Sequence, residues 1–222
     1  MSAEKAGEIC EFDKLFRRNV PHILENIFFS LDFNSLRTCG EVCNKWKELM
    51  ALRSYQDKLL EKKSQEADLL IYSHSGKSRG VIKLLSSGTY PNCKCPATGD
   101  TPLHMAAEGG HSHVVKLLLN AGAEINKLNK SGESPLLLAA KNGHDDVIDE
   151  LLAGGGEINM VNEGGESPLF LAAKFGHSDV VIALLKGGAN PNRENRDGDT
   201  PIQIAAKYGN DFVVEILRNA GA

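Results

Sequence analysis

Apolar and polar positions along residues 100–222 follow a pattern that repeats itself. A short run of small and aliphatic residues (LLLAA at 136–140, LFLAA at 169–173) is followed by a glycine. Aliphatic residues at helical spacing come next, then a second glycine and a polar turn. Each unit therefore reads as two short helices and a turn. Ser134-Pro135 starts the first helix of one unit: serine caps a free helix amide, and proline takes the position where its missing N–H costs nothing. Gly143 ends that helix, because a helix stop favours the left-handed backbone that glycine adopts freely.

The period is 33 residues: Thr101-Pro102, Ser134-Pro135, Ser167-Pro168 and Thr200-Pro201 share one phase, as do Gly110, Gly143, Gly176 and Gly209. Val115, Leu118 and Leu119 recur as Ile148, Leu151 and Leu152 and again as Val181, Leu184 and Leu185, and Asn126, Asn159 and Asn192 close three units. One helix pair cannot bury its own apolar face, whereas stacked pairs can. A degenerate unit comes first. Gly76, Val81, Leu84, Leu85, Gly88 and Asn92 keep the same offsets, but its first helix lacks the Ser/Thr-Pro start, as a capping unit can.

Residues before about 66 do not join this period. Ile23, Leu24, Ile27, Phe28 and Leu31 fall at helical spacing, Asp32 and Asn34 interrupt, and Leu36, Cys39, Val42, Cys43, Trp46 and Leu49 form a second stripe. That is more apolar surface than so short a segment buries alone, so a partner is expected to cover the surplus. The charged stretch 53–68 reads as a helical connector.

Composition narrows the function. The chain has 222 residues, 25 Lys+Arg against 29 Asp+Glu, and a net charge of −4, so no broad electrostatic footprint for nucleic acid exists. No apolar run reaches the ~20 residues that span a bilayer. Met1 is followed by polar residues rather than a signal sequence, so the five cysteines read as reduced thiols and the chain as cytoplasmic or nuclear.

TPLHMAAEGGHSHVVKLLLNAGAEIN at 101–126 resembles the ankyrin repeat throughout. Five repeats are counted: a degenerate cap at 68–99, then 100–132, 133–165, 166–198 and 199–222. In 10–55, ENIFFSLD, Leu36, Val42-Cys43-Asn44-Lys45-Trp46 and Leu49 resemble an F-box, nearest to those of WD-repeat substrate receptors. Where those place Leu-Pro before the helix, this chain has Leu15-Phe16 and Val20-Pro21. The expected fold is all-α: a small helical F-box, a connector at 56–67, and a solenoid of stacked helix pairs. The resemblance implies docking on the Skp adaptor of a cullin-RING ubiquitin ligase through Leu15, Val20, Pro21, Ile23, Leu24, Ile27, Phe28, Leu31, Leu36, Val42, Cys43 and Trp46. Trp46 reads equally as core or as direct contact.

No catalytic constellation is present. His111, His144 and His177 recur once per repeat with no nucleophile or carboxylate pair recurring beside them, which points to backbone hydrogen bonds. Cys93-x-Cys95 with His104, His111 and His113 has no usual zinc spacing, and Gly76-Lys77-Ser78 lacks the leading glycine and strand of a phosphate loop. No cofactor, metal, nucleic acid or membrane is expected, and the chain is read as a monomer within its complex.

In ankyrin proteins ligands meet the turn tips and inner-helix ends. There Glu108, Lys141, Lys174 and Lys207 form one column, and Gly109, Asn142, Phe175 and Tyr208 its neighbour. The tips add Lys130, Glu133, Glu163, Glu166, Arg196 and Asp199. A solvated face explains the lysines; two large aromatics on adjacent repeats favour a protein-binding centre. The lysines suit an acidic or phosphorylated segment, and the tip glutamates oppose it. Leu118 to Glu124-Ile125-Asn126 and Leu151 to Glu157-Ile158-Asn159 resemble the site of an asparaginyl hydroxylase that acts on ankyrin domains; the alternative is that both asparagines bond backbone. The overall reading is a substrate-recognition adaptor of an SCF-type ligase, with a non-ligase ankyrin scaffold or inhibitor as the alternative.

Overall fold

The computed structural model describes residues 39–222, with side chains for Ser54 and from Gln56 onward. The chain divides into two compact units, 1–58 and 59–222. Leu15, Val20, Pro21, Ile23, Leu24, Ile27, Phe28, Leu31 and Leu36 lie outside the described residues. Val42, Cys43 and Trp46 lie on the first described helix, α1 (Cys39–His74). After Gly40 that helix contains neither glycine nor proline, so nothing in its sequence interrupts it between the connector stretch and Leu69.

All described secondary structure is helical. The end of α1 pairs with α2 (Ser78–Ser86), and four further pairs follow: α3 (Pro102–Glu108) with α4 (Ser112–Asn120), α5 (Pro135–Asn142) with α6 (Asp145–Ala153), α7 (Pro168–Phe175) with α8 (Ser178–Lys186), and α9 (Pro201–Lys207) with α10 (Asp211–Asn219). The inner helices α3, α5, α7 and α9 pack in one row, and the outer helices α2, α4, α6, α8 and α10 in another.

Local chemistry starts each inner helix. Ser134 Oγ accepts from the Leu137 N–H at 3.3 Å, and Ser167 Oγ from the Phe170 N–H at 3.2 Å. Thr200 and Gln203 form a reciprocal capping box, and at Thr101 the His104 ring supplies the returning half, Nδ1 accepting from the Thr101 N–H at 3.2 Å. The alanine pairs Ala106-Ala107, Ala139-Ala140 and Ala172-Ala173 are fully buried, because only small side chains let neighbouring inner helices approach. Leu118, Leu151, Leu184 and Leu217 face inward from the outer row with no exposed surface. Each such burial contributes about 1.5–3 kcal/mol, summed over the whole row rather than at one centre.

The cap departs from this scheme at Ser73, which stands where the later repeats have Ala107, Ala140 and Ala173. Its Oγ is buried and lacks a hydrogen-bond partner. A buried, unpaired hydroxyl costs about 1–3 kcal/mol. Ser73→Ala is therefore expected to stabilise the repeat unit by about 1 kcal/mol in a denaturant titration. Equal or lower stability would mean that the hydroxyl is bonded in solution.

Candidate protein-interaction face

The recurring histidines build the frame of the site. His111 Nε2 donates to the carbonyl of His74 at 2.9 Å, His144 Nε2 to that of Glu108 at 2.9 Å, and His177 Nε2 to that of Lys141 at 3.0 Å. Asn210 Nδ2 takes the same place in the last repeat, donating to Ala173 O at 2.8 Å and Lys174 O at 3.0 Å. Each inner helix but the last thus has terminal carbonyls satisfied by the repeat that follows it.

The opposite end of the inner helices is fixed by asparagines that the sequence reading passed over. Asn129 Oδ1 accepts from the N–H of Ser131 and Glu133 at 3.0 and 2.9 Å. Asn162 does the same for Gly164 and Glu166, and Asn195 for Asp197 and Asp199. Their common 33-residue spacing was the available signal. Neighbouring tips are tied by Lys130 N–H to Thr98 O at 2.9 Å and Arg196 N–H to Gly164 O at 3.0 Å.

On this frame the lysine column divides. Lys141 pairs with Glu133 at 3.1 Å and Lys174 with Glu166 at 2.9 Å, each lysine reaching back eight residues to the turn before its helix. Burial works to raise the Glu166 carboxyl, but hydrogen bonds from Asn162 and Lys174 and the lysine's charge outweigh it and hold it below its usual range. The bond to Glu166 holds the Lys174 ammonium above its own. Asp199 occupies the glutamate's place in the last repeat with one methylene less. Among the described residues, Asp199, Lys207 and Arg196 make no side-chain hydrogen bond or ion pair. Lys130 is spent locally, donating to Pro96 O at 2.6 Å and Ala97 O at 3.1 Å. Glu108 and Glu163 are exposed.

The neighbouring column is where apolar surface appears. Phe175 is 49% exposed and Tyr208 57%. Phe175 stacks on the His177 ring with centroids 6.3 Å apart, and the Lys174 ammonium lies 6.0 Å from the Phe175 centroid. Asn142 in the same column turns back on its own helix, with Nδ2 donating to Leu138 O at 2.9 Å. Phe212, 63% exposed at the start of the outer helix α10, is a further exposed ring that the sequence reading did not single out. Its column otherwise holds His113, Asp146 and Asp179, so alignment of the repeats would have marked it.

Asn126 and Asn159 hold neighbouring repeats together. Asn126 Oδ1 accepts from Glu157 N–H at 2.9 Å, and Asn159 Oδ1 from Asn190 N–H at 3.2 Å. Of the remaining polar groups, Cys93 is buried and its thiol is pushed up to about 12, by burial first and by the nearby Glu66 carboxylate second. N–H and O–H donors of Thr98, with the Ala97 N–H, hold the Cys95 thiol below its usual value. Among the described residues no group of His, Cys, Asp and Glu is placed to hold a metal ion, and no helix is long and apolar enough to cross a membrane.

Comparison with known families agrees with the repeat geometry. Ankyrin repeats match residues 69–162 and 140–222, and an F-box domain matches residues 19–54. No curated protein matches the chain. Both families are interaction modules: F-boxes generally bind the Skp adaptor and ankyrin repeats bind proteins, a combination that supports an adaptor role of the SCF type.

Proposed function

We infer, since the chain belongs to the ankyrin-repeat family and carries an F-box as well, that it is a substrate-recognition adaptor of a cullin-RING ubiquitin ligase. The observation that carries this reading is the presence of both modules in one chain. The F-box segment docks on the Skp adaptor through the apolar stripes around Ile27, Phe28, Leu31 and Leu36. The repeats hold a protein substrate on the face made by Lys141, Asn142, Lys174, Phe175, Lys207 and Tyr208, with the tips at Lys130, Glu133, Glu166, Arg196 and Asp199 at its edge. Exposed aromatics beside charged side chains support that location, since such rings dominate binding energy at protein interfaces. The chain itself performs no covalent step. It raises the effective concentration of a substrate lysine near a ubiquitin-charged enzyme.

Co-expression with the Skp adaptor and a cullin tests this. The full chain is expected to co-purify with both and to ubiquitinate a protein captured by its repeats. Leu31→Ala with Leu36→Ala should lose the adaptor and keep the captured protein. Phe175→Ala with Tyr208→Ala should do the reverse, each ring contributing about 1–3 kcal/mol to substrate affinity. Recovery of the adaptor without the cullin would favour a sequestering scaffold instead. Binding of the adaptor by the repeats alone would overturn the division of labour.

A further inference from the structure

We propose that His104 is a proton-sensitive latch between the first and second Ser/Thr-Pro repeats, closed while its ring is neutral and opened when Nδ1 gains a proton. The inference rests on the repeat geometry and stands apart from the ligase reading.

His104 lies on α3 with no exposed surface. Its Nδ1 sits 2.8 Å from Thr101 Oγ1 and 3.2 Å from the Thr101 backbone nitrogen. A backbone N–H can only donate, so Nδ1 is the acceptor and the ring's hydrogen resides on Nε2. Nε2 in turn lies 3.1 Å from the carbonyl oxygen of Glu133, in the next repeat, and donates to it. Both nitrogens are therefore committed in the neutral ring, one to the cap of its own helix and one across the joint. A second proton on Nδ1 would set one donor against another. The Thr101 hydroxyl can rotate to accept it; the amide cannot.

The surroundings oppose that proton on balance. Burial holds the ring below the usual histidine value, while the Glu133 carbonyl, the Asp100 carboxylate, the Lys127 backbone carbonyl and the Glu133 carboxylate pull the other way. Asp100 is the charged group facing the ring from the preceding turn, and its carboxylate accepts from Asn129 Nδ2 at 2.8 Å. Glu133 faces it from the following turn, already paired with Lys141. A group whose folded value is depressed contributes stability that is complete above its open-state value and is lost as pH falls below it. With an open-state value of about 6.5, the joint holds fully near neutrality and weakens progressively in mild acid.

The other repeats supply the comparison. Leu137 and Phe170 occupy the same place in the middle repeats, both buried. In the last, Gln203 Oε1 accepts from Thr200 N–H at 2.8 Å, which reproduces the cap without an ionisable group.

Amide hydrogen exchange on the full chain at pH 7.5 and 5.5, corrected for intrinsic rates, reads the latch. Opening at residues 101–111 and 129–138 is expected to rise by up to about tenfold between the two conditions, the ceiling set by an open-state imidazole titrating near 6.5. The third repeat is the control within the same molecule, since it keeps a turn histidine at His177 but has Phe170 at the latch position. His104→Gln should abolish the acid response of the first joint while retaining its cap. Equal acid responses in the first and third repeats, or a response that persists in the glutamine variant, would overturn the proposal. Should that variant fail to fold, the comparison between repeats decides alone.

Discussion

Gly143→Ala is expected to lower the stability of the repeat unit by about 2–3 kcal/mol, from the sum of two separable effects. The residue has φ of +83°, a left-handed backbone that costs a side-chain-bearing residue about 1–2 kcal/mol. A Cβ built there would meet His177 Nδ1 at 2.6 Å. The ring must move, and with it goes the bond to the Lys141 carbonyl, worth about 1 kcal/mol net. Gly155→Ala isolates the first effect: its φ is +91°, but a Cβ there meets nothing within 4 Å. Denaturant titration of the two variants should show Gly143→Ala destabilised by the larger amount. Equal losses would mean that the histidine ring contributes nothing across the joint.

Two phenylalanines on one helix are expected to behave oppositely. Phe170 is 1% exposed, and truncation to alanine removes a buried ring and leaves a cavity, at a cost of about 3–5 kcal/mol. Phe175, five residues later, is half exposed, and its truncation should cost only about 1 kcal/mol. Thermal unfolding of the two alanine variants checks the contrast. A large loss at Phe175 would make it a structural residue and remove the argument for a binding anchor there.

What could be read in the sequence was local or periodic. Ser134-Pro135 and Gly143 announce a helix start and stop because cap and turn chemistry act over a few residues. The 33-residue recurrence of Leu118, Leu151 and Leu184 announces stacking because one apolar stripe needs another. The all-helical repeat architecture followed from these, and the F-box was legible as a motif, matched at 19–54. The site was legible in part. Phe175 and Tyr208 stand out because large rings break a column of small and polar residues. Lys141 and Lys174 read from sequence as cations open to a ligand. Their glutamates lie eight residues away, beyond the one-turn spacing at which helical ion pairs are usually sought. The bonds from Asn126 to residue 157 and from His144 to residue 108 span about one period, so no local reading displays them.

Because the donor that completes each inner helix but the last belongs to the following unit, and because His144 and His177 fill the same place, the units are interchangeable parts. Excising residues 134–166 would bring His177 to the carbonyl of Glu108 and leave every junction chemically intact. Excising a length other than whole periods would set a mismatched side chain against a helix end. Recombination within the gene could therefore lengthen or shorten the array in whole units and still yield folded proteins. The reach of the interaction face is accordingly a heritable quantity that changes in discrete steps.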